Sequence, residues 1–224
     1  LLNLDLRDNQ FSGDVPASFT NLVKLCEVTN LNYPCKGEWG LDLGYNHLNV
    51  PAPEPPASFL AVKDPDWYLT QAVQVVVPAT GGMLTSHDGN TEIVIPSGAL
   101  TGETTFLFAP QPWPSQPTGG LRFAGNSFEL TAWIDSTPVT SFGAPLVLTL
   151  SYDEASLGVI PEETLSLFYW DAAPSTWANA VNTCPGGAYT RDLVENWLSL
   201  PVCHLSEFAL MGNQIETYLP VISR

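Results

Sequence analysis

Residues 81–100 read GGMLTSHDGNTEIVIPSGAL, and this stretch decides the fold class. From Thr91 to Ile95 apolar and polar side chains alternate, which in an extended strand sends Ile93 and Ile95 to one face. Asp88-Gly89 is the dipeptide of a tight hairpin turn, so the short segment 82–85 before it pairs with 91–95 after it. Gly81 and Gly82 permit a tight entry, and Gly98 supplies a backbone angle that other residues resist. Two short strands joined by such a turn are antiparallel β.

Working outward, the same signals recur. Segment 73–77 enters as a strand. Segments 104–109, 121–124, 127–134, 146–150, 165–170, 197–200 and 203–211 follow, separated by turn residues. Phe128, Leu130, Ala132 and Ile134 share one face. No helical pattern interrupts the series. Short strands at regular spacing predict an antiparallel β-sandwich over 79–213, with 64–78 as linker and entry strand.

The chain before residue 64 has a different grammar. LLNLDLRDNQFSGDVPASFTNLVKL (residues 1–25) repeats its leading leucine at Leu25, a period of about 24 residues that suits leucine-rich repeats. Leu4 and Leu6 should point inward, and Asn9 should bond backbone groups at the turn. Phe19 and Leu22 should face the core from the convex side. A second unit starts at Leu25 and is interrupted near Tyr33-Pro34-Cys35. A third is visible from Leu41 to Leu48. Residues 1–63 are therefore expected to be the C-terminal repeats and cap of a solenoid, with 58–62 helical and further repeats upstream. The whole is mainly β: a leucine-rich solenoid end followed by an antiparallel sandwich, with 214–224 as a tail or closing strand.

Composition narrows the setting. The chain has 224 residues, 45% of them hydrophobic, with 7 Lys+Arg against 23 Asp+Glu and a formal charge of −16. That field repels nucleic acid and anionic lipid. No apolar run approaches the roughly 20 residues of a membrane span. Leu1 already sits inside a repeat, which implies that any export signal lies upstream. Cys26, Cys35, Cys184 and Cys203 form two pairs that are local in sequence and carry no CxxC pattern. Two disulfides in an extracellular or cell-surface protein are expected, and no metal or other cofactor.

Two resemblances bear on function. Residues 81–100, with their Gly-Gly pair, serine-containing turn, alternating strand and Pro96-Ser97-Gly98-Ala99-Leu100 corner, resemble the opening of the sandwich domain of zonula-occludens proteins, ankyrins and netrin receptors. Tyr169-Trp170-Asp171, Trp177, Cys184, Cys203 and His204-Leu205-Ser206-Glu207-Phe208-Ala209-Leu210 resemble the GPS segment of GAIN domains in adhesion receptors. GPS segments usually carry more cysteines, and their last cysteine lies two residues before the histidine, whereas here Cys203 adjoins His204. The second resemblance implies self-cleavage: His204 as general base, Ser206 as nucleophile and Leu205 as the carbonyl donor, one turnover per molecule. If 203–211 is one strand, His204 and Ser206 share a face.

Other groups read as structural. His47 at a solenoid turn and His87 in the hairpin should be solvated. Ser86-His87-Asp88, as turn neighbours, cannot align as a triad. Asp64 and Asp66, like Asp153 and Glu154, lack the spacing of a calcium loop and read as surface carboxylates. Trp113, Trp133, Trp170, Trp177 and Trp197 read as core or rim packing rather than a sugar platform. The expected function is an extracellular recognition or adhesion module. Its repeats bind a protein or glycan, and its sandwich is a spacer competent to cut itself between Leu205 and Ser206. One alternative makes that single-turnover cleavage the main event. Another is an inert structural stalk.

Overall fold

The computed structural model describes residues 1–213 apart from positions 28, 33, 34, 36 and 38; the expected tail or closing strand at 214–224 lies outside the described residues. The N-terminal end is two stacked coils. β1 (Leu4–Asp5) and β2 (Ser12–Gly13) belong to the first, β3 (Leu41–Asp42) and β4 (His47–Leu48) to the second. β3 lies parallel to β1 with Leu41 opposite Leu4, and β4 parallel to β2 with His47 opposite Ser12. Between them sit buried Val15, Leu25, Leu41, Leu43 and Leu48, with Leu4, Leu6, Phe19 and Leu22 packed against this core. The unit expected from Leu25 contributes no strand among its described residues. After Leu25 the chain closes on itself through Cys26–Cys35, so the strand beside β1 comes only at Leu41.

The second coil ends where 64–72 turns back over it. Its exposed backbone would otherwise lose hydrogen bonds. Gln71, fully buried, accepts from Leu48 N and donates to Leu43 O and Trp67 O. Asp64 accepts from Leu43 N at 2.7 Å, and Thr70 Oγ1 from Tyr45 N at 3.1 Å. α1 (Pro56–Lys63) begins with proline in its first turn, where a missing N–H costs nothing. It inserts Leu60 into the core, and buried Lys63 donates to Leu25 O and the Glu27 carboxylate.

Twelve strands follow: β5 (Val73–Val77), β6 (Gly82–Thr85), β7 (Thr91–Ile95), β8 (Thr104–Gln111), β9 (Arg122–Ile134), β10 (Thr137–Pro138), β11 (Leu146–Ser151), β12 (Ser166–Asp171), β13 (Thr176–Asn179), β14 (Thr190–Asp192), β15 (Trp197–Val202) and β16 (Glu207–Gly212). A seven-stranded sheet runs β13-β12-β16-β9-β8-β5, with β10 beside β9. A five-stranded sheet runs β14-β15-β11-β7-β6. Every pairing in both is antiparallel. Ile93, Leu148 and Leu200 of the smaller sheet meet Phe106, Phe128 and Phe208 of the larger across one core. The chain is mainly β with two antiparallel sheets, consistent with a sandwich.

Three differences from the sequence expectation have physical causes. Segments 121–124 and 127–134 are one strand, bent at Gly125 (φ 87°), where the register against β16 shifts between Ala209 and Met211. β10, β13 and β14 are short and mostly polar or exposed edge strands, without the alternation that marks a strand in sequence. Segment 203–211 is not continuous: β15 stops at Val202 in one sheet and β16 starts at Glu207 in the other.

Two outcomes follow from the capping segment. Gln71→Leu leaves Leu48 N–H and Trp67 O unpaired and should lower unfolding free energy by about 2 kcal/mol or more, read by urea denaturation. Burial pushes the Asp64 carboxyl from 3.8 up to about 6, against the lowering effect of the Leu43 N–H. The folded chain thus holds more protons than the unfolded one across that window, and stability falls as pH rises through it. Asp64→Asn keeps an acceptor for Leu43 N–H and should flatten this part of the pH–stability curve, measured by thermal melts from pH 4 to 7.

Candidate functional site

His204, Leu205 and Ser206 lie at the corner where the chain leaves the five-stranded sheet and joins the seven-stranded one. The corner is held on every side. Before it, Cys203 is bonded to Cys184, and Cys203 N donates to Thr183 Oγ1. The predicted pairings Cys26–Cys35 and Cys184–Cys203 both form, which is compatible with an extracellular setting. In the middle, Leu205 packs against the main core. After it, Ser206 O accepts from Leu130 N at 3.0 Å, which starts the β16–β9 ladder.

Residues 203–206 belong to no strand, so strand alternation does not place their side chains. Ser206 Oγ donates to Trp170 O at 2.8 Å. The His204 ring stands edge-on to Tyr169, centroids 4.6 Å apart. The two groups expected to share a strand face are thus each engaged with β12. In this resting arrangement the serine proton belongs to a carbonyl, and attack on Leu205 C=O requires Ser206 to rotate away from Trp170.

Sequence inspection missed the clamp on the far side. The Glu207 carboxylate accepts from Ser115 N at 2.6 Å and from the Ser115 hydroxyl. Ser115 sits in the proline-rich loop between β8 and β9, whose Pro112-Trp113-Pro114 run was the one available signal. Trp113 is 70% exposed and tilts over Phe123. Beside the corner, Trp170 and Trp177 pack edge to face at 5.5 Å on the outer face of the larger sheet, over buried Ala209 and Met211.

Asp64 caps the coil, and Asp153 accepts from Ala155 N at the start of a short 3-10 turn. Ser86 and Asp88 bond each other within the hairpin. His47 and His87, expected to be solvated, are both half-buried and line one cleft of about 450 Å3 between β4 and β5. Burial lowers the His87 pKa. No helix among the described residues is long and apolar enough to cross a membrane. Compared with protein-family models and with curated proteins, the chain matches none.

The disulfide fixes the corner relative to the 3-10 turn at Ala180–Thr183. A Cys184→Ser/Cys203→Ser double variant, which opens a link between residues 19 apart, should lose about 3 kcal/mol of stability by chemical denaturation.

Proposed function

We propose that the chain is an extracellular recognition module: a leucine-rich solenoid end that presents its strand face to a protein or glycan ligand, carried on a β-sandwich spacer. The observation that carries this reading is the asparagine ladder. Asn46, 1% exposed, donates to Leu6 O in the coil before it and to Leu43 O and Gly44 O in its own, and accepts from Phe11 N. Asn9 bonds Leu6 O and Arg7 O one coil earlier. Side-chain amides that stitch successive turns this way keep the coil backbone paired and leave the β1–β3 face open. On that face Arg7 bridges Asp5 (3.3 Å) and Asp42 (3.4 Å). These are exposed pairs and contribute little to stability, so their use is better sought in binding. Probing arrays of extracellular glycans and secreted proteins with the chain should reveal a ligand whose binding is lost in the Asp5→Lys/Asp42→Lys variant. Equal binding by that variant removes the face from the reading.

The clamped corner supports a second reading, self-cleavage between Leu205 and Ser206. Ser206 Oγ would leave Trp170 O and attack Leu205 C=O while His204 takes its proton. His204 would return that proton to the departing amide nitrogen, and the C–N bond would break as the C–O bond forms. Water would then hydrolyse the ester, leaving a carboxylate at Leu205 and an amine at Ser206. The fixed disulfide, Leu205 in the core and the Ser115–Glu207 clamp restrain both sides of the bond. Intact mass of the folded protein tests it. Two fragments for the parent and a whole Ser206→Ala variant support cleavage, and a whole parent ends this reading.

A further inference from the structure

The coils and the sandwich have separate apolar cores, and polar side chains line part of the seam between them. A cleft of about 270 Å3 opens there, where the coil end, the β6–β7 hairpin, β8, β9 and the end of β11 converge. Tyr45, Thr70, Asn90, Gln111, Asn126 and Asp153 are among its walls. Gln111 Oε1 is buried without a hydrogen-bond partner. Among the described residues no hydrogen bond commits that amide to either orientation, so turning it offers the cleft a donor or an acceptor. The side chains of Asn126 and Ser151 likewise make no hydrogen bond among the described residues. Phe108 and Tyr152 add ring surface.

The chemistry of this lining selects among ligands. Among the described residues no lysine, arginine or histidine lines the cleft, and the chain carries a net −16, so an anion is repelled. An apolar ligand would strand the amides and hydroxyls. A metal cation would find only two carboxylates, Asp88 and Asp153, in the lining, and no group of three or more metal-ligating side chains occurs among the described residues. Asp88 accepts from the Ser86 hydroxyl, Asn90 N and Asn90 Nδ2, and Asp153 from Ala155 N. What remains is a wall of amides and hydroxyls with two acceptor carboxylates beside aromatic rings. That set matches vicinal hydroxyl groups on a ring with C–H faces. We propose that this seam cleft binds a neutral saccharide unit. The site is separate from the β1–β3 face and stands or falls without it.

Saturation-transfer NMR on the whole 224-residue chain tests the proposal, with millimolar glucose, galactose, mannose, xylose and N-acetylglucosamine and their β-linked disaccharides as probes. At least one sugar should receive saturation. Gln111→Leu and Asn126→Ala should each weaken that sugar about tenfold or more. Trp113→Ala, which removes an exposed tryptophan outside the cleft, should leave it unchanged. Absence of transfer to every probe overturns the proposal. So does binding that survives in a folded Asn126→Ala variant or disappears with Trp113.

Discussion

The hydrogen bond from Leu48 N–H to Gln71 Oε1 is the constraint from which the rest of the arrangement follows. A parallel coil cannot simply stop, because its last turn presents N–H and C=O groups with no further turn to receive them. Here three side chains from 64–72 substitute for the missing backbone: Asp64, Thr70 and Gln71. Ala72 N then bonds Asn46 O, and β5 begins at the next residue. The segment that closes the first unit is therefore also the one that aims the chain into the larger sheet. Little room is left for a free linker between the two, since β5 starts one residue after Ala72.

A second constraint acts at the other end. To finish the larger sheet the chain must leave β15 and cross the mouth of the sandwich to insert between β9 and β12. The crossing is short, so each of its residues is fixed by what it meets. Cys203 meets the 3-10 turn after β13, Leu205 the core, Ser206 the carbonyl of Trp170 and Glu207 the β8–β9 loop. Chemistry proposed at this corner has to start from a serine engaged with a carbonyl. The same crossing that restrains the bond also commits the serine hydroxyl to the Trp170 carbonyl.

Much of this was legible in the sequence where periodicity is strong. The hairpin around Asp88-Gly89, the strand at Val73–Val77 and both disulfide pairs lie where patterning placed them. The inward leucines and Asn9 of the first coil also behave as read. What was not legible depends on non-local geometry. A period counted from Leu25 cannot show that Cys26–Cys35 diverts the chain, so that Leu41 rather than a residue of the intervening stretch pairs with Leu4. Alternation from Val202 through Leu210 looks continuous, although a change of sheet lies inside it. For the same reason the strand argument for His204 and Ser206 loses its premise, and what the corner displays is the contact each makes with β12. The Ser115–Glu207 clamp joins residues 92 apart, and no local pattern announces such a contact.

The seam between the two cores is where these constraints leave freedom. Had evolution needed only to fix the coil against the sandwich, apolar side chains would serve, since burying them gains about 25 cal/mol per Å2 without orientation demands. The seam instead mixes apolar side chains such as Leu69 and Val73 with amides, hydroxyls and two half-buried histidines around clefts of about 270 and 450 Å3. Polar groups placed in a junction and left without protein partners weaken it unless water or a ligand completes them. A ligand that did so would draw the coil end and the hairpin toward the same object, and its binding energy would add to the stability of the junction. The geometry of the open β1–β3 face relative to the sandwich would then depend on what occupies the seam.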